Sequence, residues 1–178
     1  MNGSPVLVTE RLALWRPQAD DRPLIQALLA PPAVRQHLGP KDDDAGLFAR
    51  LLRNAGSWEL YGYGTFVVRE RGSSAVVGSC GIFHSWRGLG DDFDDKPEAG
   101  WIIAESHFGK GVAREAMDAA LAWFDREHGP REIVCMISPE NAPSIRLAER
   151  LGFSATREAI RARFAPGLRG GPPIAVAL

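Results

Sequence analysis

"ESHFGKGVAREAMDAALAWFDREHG", residues 105–129, places two glycines around a lysine, Gly109-Lys110-Gly111, directly before a run with helical spacing. An ordinary helix start uses Ser, Thr, Asp or Asn, whose side-chain oxygens satisfy the free amides of the first turn. Glycine at that place costs backbone entropy. What it offers is a backbone that a phosphate can approach closely, at the positive end of the helix dipole. On these residues alone two readings stand. The turn is a plain turn, or it is an anion cradle built from the amides of about Gly109 to Ala113, with Lys110 adding charge. Two nucleotide motifs are excluded: the spacing is not that of a Walker loop, and Arg114 stands where a dinucleotide fingerprint needs its third glycine.

The surroundings give this turn its place in a fold. "EAGWIIA" (residues 98–104) reads as a strand leading into it. The helix from Val112 to His128 carries small residues at Val112, Ala113, Ala116, Ala119 and Ala120, suited to close packing on a sheet, and stops near Gly129-Pro130. "EIVCMI" (132–137) is apolar enough for a strand buried on both faces. Together they form one β-α-β unit. Upstream, "RLALWR" (11–16) alternates as a strand, and a helix follows with Asp20 as candidate cap. "AGLFARLLRNAGSWEL" (45–60) reads as a second helix, and "GTFVVRE" and "AVVGSCGIF" as a hairpin. Downstream, "NAPSIRLAERLGF" (141–153) is a helix capped by Asn141, with Pro143 in its first turn and Gly152 at its end. "TREAIRARF" and "IAVAL" read as two last strands. The expected fold is therefore α/β (α+β): a mixed, mostly antiparallel sheet of six to seven strands, about four helices, and a single domain over residues 1–178.

Bulk properties narrow the function. Lys+Arg is 21 against Asp+Glu 22, a formal charge of −1, which gives no electrostatic support for nucleic-acid binding. No apolar run approaches a membrane span, and the N-terminus lacks the pattern of a signal peptide. The two cysteines, Cys80 and Cys135, lie in separate apolar runs and read as buried thiols, which fits a cytoplasmic protein. The four histidines show no metal spacing, and Asp91, Asp92, Asp94 and Asp95 lack the spacing of a calcium loop. That acidic loop reads as solvated, or as an attractor for a cationic amine.

Three stretches in order resemble the GNAT superfamily of acyl-CoA N-acyltransferases, and within it the RimJ/RimL type of ribosomal-protein alanine acetyltransferase. They are "TERLALWRP" (9–17), "EAGWII" (98–103) before "HFGKGVAREA" (107–116), and "NAPSIRLAERLGF" (141–153). The resemblance implies a twisted sheet splayed between its fourth and fifth strands, with acetyl-CoA in the splay. Backbone around Ile102 and Ile103 would pair with the pantetheine amides. The turn from Phe108 through Gly109, Lys110, Gly111 and Val112 to Ala113 would take the pyrophosphate. Asn141 and Ser144 would reach the thioester end. The family signature carries Gln or Arg three residues before the first glycine, where this chain has Ser106.

Acetyl transfer from a thioester to an amine needs a deprotonated amine, donors for the developing oxyanion, and a proton for the leaving thiolate. Glu98 matches the family's glutamate and is the candidate base, directly or through a water, with Glu105 as rival. The tyrosine that many relatives use as general acid has no counterpart, since Tyr61 and Tyr63 both lie upstream. Ser144 is the candidate in its place. Neither cysteine is needed if both substrates bind together. His84 with Trp86, or Trp58 with Tyr61 and Tyr63, are candidates to line an acceptor pocket. The acceptor itself, a peptide N-terminus or a small amine, is not readable, and the oligomeric state stays open, a homodimer included. The alternative is a non-catalytic acyl-CoA-binding or sensor domain of the same fold.

Overall fold

The computed structural model describes residues 3–38, 43–155 and 162–164. Its strands are β1 (Leu7–Val8), β2 (Leu12–Trp15), β3 (Thr65–Glu70), β4 (Val76–Ser85), β5 (Lys96–Ile103), β6 (Ile133–Cys135), β7 (Ser154–Ala155) and β8 (Ala162–Phe164). Its α-helices are α1 (Arg22–Leu29), α2 (Pro32–Arg35), α3 (Asp44–Tyr61), α4 (Val112–His128) and α5 (Ala142–Arg150). The strands form one sheet in the order β1-β2-β3-β4-β5-β6-β8-β7. Only β5 and β6 pair in parallel among the described strands, as a crossover through α4 requires. The mixed, mostly antiparallel sheet expected from the sequence is the one observed. Six strands have three residues or more, and β1 and β7 are two-residue additions too short to carry a periodic signal. The strand expected at 174–178 lies outside the described residues, as does most of the one expected at 156–164.

Strand registers divide the side chains between two faces. One face gathers Leu14, Val68, Cys80 and Ala99 with Ala116, Met117, Ala120 and Phe124 of α4, and Ala148 of α5, in the main apolar cluster. The small residues of α4 serve here as expected: Ala116 and Ala120 are fully buried, so the helix axis lies close to the sheet. The other face carries Ala13, Val67, Arg69 and Glu98, the alternate positions of β2, β3 and β5. On that face Arg69 Nη2 bonds Asp21 Oδ1 at 2.5 Å, tying the entry of α1 to the sheet. Asp21 also accepts from the Gln18 amide at 2.8 Å, so it, and not Asp20, organises the helix start. Among the described residues no helix is long and apolar enough to cross a membrane.

Helix ends follow local chemistry. Asp43 accepts from the Gly46 amide at 2.7 Å at the start of α3, and Gly62, at φ 79°, closes it in the left-handed conformation. Asn141 accepts from the Ser144 amide at 3.2 Å and opens α5. The start of α4 differs from those of α3 and α5. Its N-cap is Gly111, at φ 76°, and no side chain caps it.

Candidate active site

The parallel pairing of β5 with β6 runs only from Glu98↔Val134 to Ala99↔Cys135. Beyond Ala99 the two strands separate, and a pocket opens between them, lined by Gly100 and Trp101 on one side and Met136 to Ser138 on the other. Asn141 and Ser144 from the start of α5 close one end, and His37 and Leu38 from the segment after α2 close another. The separation places the expected splay between the fourth and fifth strands of the sequence reading, here β5 and β6.

Separation leaves backbone groups of β5 without a strand partner. Ala104 donates to Val77 O at 2.9 Å, which fixes the alternation along the β4–β5 ladder. By that alternation Ile102 and Gly100 direct their N–H and C=O toward β4, while Trp101 and Ile103 direct theirs toward the opening. Of the pair named from the sequence, Ile103 therefore faces the splay, and Ile102 is engaged with Ser79. The backbone of Trp101 faces the same way as that of Ile103.

At the far end of β5, Ser106 and His107 lead into the glycine turn. Gly109 and Gly111 have φ of 71° and 76°, a region that costs an L side chain about 1–2 kcal/mol. These glycines are required by the turn itself. The space above them is also open: a Cβ on Gly109 would meet nothing within 4 Å, and one on Gly111 would meet only Arg11 Nη2 at 3.5 Å. The amides of Val112 and Ala113 open α4 with no preceding carbonyl in the helix and no side-chain cap. Uncapped amides, a dipole of 17 residues and open space make this turn fit a phosphate group. Phe108, at the entry, is half-exposed. The Lys110 amide is directed at His107 O, 3.4 Å away.

Glu98 lies elsewhere. It is 2 % exposed on the α1 face of β5, one residue before the splay begins, and it does not line the pocket. Its carboxylate receives Arg87 in a fork, Nε to Oε2 at 2.7 Å and Nη2 to Oε1 at 2.7 Å, and Ser85 Oγ also donates to Oε2. Arg87 is held in turn by the loop that follows β4. Asp94 Oδ1 accepts from the Arg87 amide at 2.8 Å and Oδ2 from the Gly90 amide at 2.9 Å. Burial alone raises the Asp94 carboxyl, but bonds from the amides of Arg87, Gly90, Leu89 and Gly88 outweigh it and hold the group below the usual range. The acidic loop is thus not a solvated loop throughout. Asp94 is its buried organising anion.

Ser144 and Trp101 meet across the splay, with Trp101 Nε1 donating to Ser144 Oγ at 3.1 Å. The aromatic candidates for an acceptor wall are elsewhere. Trp58 and Tyr63 belong to the apolar cluster on the α4 face. Tyr63 Oη contacts His84 Nδ1 at 3.3 Å, His84 Nε2 lies 3.2 Å from Asp95, and Tyr61 stacks on His84. That group lies on the sheet face opposite Glu98. Of the pocket lining, only Asn141 and Ser144 are site candidates from the sequence; His37 and Leu38, which no motif marks, and Trp101 on β5 and Met136 to Ser138 after β6 are not singled out. Both cysteines are fully buried and free. Burial pushes the Cys80 thiol up to about 12 and raises Cys135 as well, so neither is a poised nucleophile.

Comparison with known proteins accords with this arrangement. A solved Bordetella pertussis chain assigned to the GNAT acetyltransferases is 34% identical, covers 88% of this chain and 96% of its own, and superposes with a TM-score of 0.76. An L-methionine sulfoximine/L-methionine sulfone acetyltransferase of Salmonella typhimurium is 34% identical over 100 residues, 56% of each chain. RimL, a ribosomal L7/L12 alpha-N-protein acetyltransferase, shares the fold at a TM-score of 0.73 over 90% of this chain and 93% of its own, at 14% identity. The family model for the acetyltransferase (GNAT) domain matches residues 11–154, from the start of β2 through the splay and α5 into β7. With that span and this splayed strand pair, the chain belongs to the GNAT acetyltransferase family.

Proposed function

We propose that this chain is an acetyl-CoA-dependent N-acetyltransferase that passes the acetyl group directly to a primary amine, with both substrates bound together. The observation that carries the reading is the splay itself: an open strand edge at Trp101 and Ile103 on the strand that leads into the uncapped Gly109-to-Ala113 turn, with Asn141 and Ser144 lining the pocket beside Trp101. Trp101 and Ile103 would hold the pantetheine amides, and the turn would hold the pyrophosphate. Bound acetyl-CoA supplies the activated acetyl thioester.

The chain's own residues supply the proton chemistry. An indole N–H only donates, so the Trp101 bond uses Ser144 Oγ as an acceptor and leaves the serine O–H free to donate to a departing thiolate, the serine taking a proton from water as it gives up its own. Glu98 has four lone-pair sites on its carboxylate, of which Arg87 takes two and Ser85 one. The remaining site on Oε1 accepts the amine proton, through a water where the amine does not reach it. The acceptor enters from the α1 face, past His37, where Glu98 is buried. Both acetylated classes named among the comparisons, an amino-acid analogue and a protein N-terminus, present a primary amine. The opening "TERL" segment favours a place near the RimJ/RimL branch.

The test is mass analysis of a panel of peptides with free N-termini and small primary amines after incubation with protein and acetyl-CoA. A mass gain of one acetyl group on a free amine, absent from blocked analogues, is the expected result. Saturable acetyl-CoA binding with no acceptor modified across the panel would favour a non-catalytic acyl-CoA-binding domain, a reading that the engagement of Glu98 by Arg87 and Ser85 keeps open. No binding of acetyl-CoA would end both readings.

A further inference from the structure

The glycine turn is held from outside by a segment about one hundred residues away. Between β1 and β2 the chain turns through Thr9, Glu10 and Arg11, and this turn docks on the start of α4. Glu115, in the first turn of α4, accepts from Thr9 Oγ1 at 2.6 Å and from the Arg11 amide at 2.9 Å through Oε1. Its Oε2 accepts from Arg11 Nε at 2.6 Å. Arg11 Nη1 donates to the carbonyl of Lys110, between the two glycines, at 2.9 Å. The guanidinium therefore bridges the helix carboxylate and the turn, and its Nη2 lies 3.5 Å from where a Gly111 Cβ would stand. Thr9 Oγ1 also accepts from the Leu12 amide at 3.0 Å, so the hydroxyl is fixed by β2 while it serves Glu115.

The charges explain why such a brace is needed. A carboxylate in the first helical turn suits the helix dipole, but it competes with any anionic ligand at the same end. Glu115 is that carboxylate. Burial alone would raise its carboxyl; bonds from Thr9 and Arg11, with the Arg11 charge, hold it below the usual range, so it is ionised under ordinary conditions. Arg11 neutralises it and adds donors at the turn.

We propose that Thr9, Arg11 and Glu115 form a brace that shapes the Gly109-to-Ala113 turn for a diphosphate and that Arg11 masks the Glu115 charge from it. Arg11 is then a positioning residue for the cofactor. The proposal rests on the assignment of this turn to the pyrophosphate of CoA.

The experiment is calorimetric titration of CoA into the wild-type chain, Arg11→Met, Glu115→Gln and the double variant, with ligand-free melting of each. Arg11→Met should weaken CoA about tenfold, the size of one charge-assisted bond. The double variant should regain most of that loss without melting higher than Arg11→Met, because the unmasked carboxylate is gone. Arg11→Met binding CoA like wild type overturns the brace. So does a double variant that binds no tighter than Arg11→Met, since a merely structural role gives no recovery. Wild type that fails to bind CoA overturns the cofactor assignment itself, a result separable from the other two.

Discussion

Trp101 of β5 and Ser144 of α5 are joined by an indole-to-hydroxyl hydrogen bond of 3.1 Å across the opening between β5 and β6. The bond sets the direction of the serine proton and ties the strand wall of the splay to the helix that closes it. Ser144→Ala should therefore lower kcat by about 10²-fold, the usual size of a lost general acid, with acetyl-CoA affinity nearly unchanged. Trp101→Phe, which keeps the ring and removes the donor, should lower kcat by a smaller factor. Steady-state rates with direct titration of the cofactor check both, and an unchanged kcat in Ser144→Ala would remove the serine from the chemistry.

Glu98 and Arg87 should respond differently to removal. Glu98→Gln keeps the shape and loses the charge, so kcat should fall by about 10²-fold or more if the free lone pair takes the amine proton. Arg87→Met strips a buried carboxylate of its fork and should destabilise the fold by about 2 kcal/mol or more, read in urea unfolding. A rate for Glu98→Gln equal to wild type at every pH would exclude it as the base.

Gly111→Val should separate the turn's conformation from its ligand. Its φ of 76° makes any side chain strained, at about 1–2 kcal/mol. Gly72, at φ 75° in the β3–β4 turn with open space around it, is the control. Gly72→Val should cost comparable stability and leave CoA binding intact, whereas Gly111→Val should weaken CoA at least tenfold. Equal CoA affinity in the two variants would argue against a pyrophosphate at this turn.

The Glu115 carboxyl predicts a pH dependence with a definite sign. Its folded-state value is depressed, so its contribution to stability is complete above the unfolded value near 4.3 and is lost as pH falls through the folded value below that. Thermal melting should therefore drop more steeply with acid in wild type than in Glu115→Gln below about pH 4. Parallel curves would show that the brace does not hold the carboxylate.

Cys80 and Cys135 should resist alkylation in the folded chain and react fully in denaturant, because burial raises both thiols and shields them. Mass analysis after iodoacetamide treatment counts them. Labelling of the native chain with loss of activity would reopen a cysteine mechanism.

Much of this fold is legible along the chain because its signals are local. Gly109 and Gly111 sit where φ is positive, Asn141 caps α5 through its own first turn, and the small residues of α4 face the sheet. What stayed hidden depends on distance. The Thr9–Glu115 bond spans 106 residues, and no local pattern marks a threonine as the partner of a helix carboxylate. Arg87 reaches Glu98 only because Asp94 folds the loop between them, which reads as plain acidic loop until its amides are paired. The aromatic candidates, which do not line the pocket, are hard to place for a related reason. Spacing does not show that Tyr63 meets His84, nor which face of the sheet they occupy, and they lie on the α4 side.

The most direct measurement is the initial-velocity pattern of thiol release from acetyl-CoA as acetyl-CoA and an accepted amine are varied together. Direct transfer in a complex of both substrates predicts intersecting double-reciprocal lines and release that depends on the amine. Parallel lines, or thiol release indifferent to the amine, would contradict it.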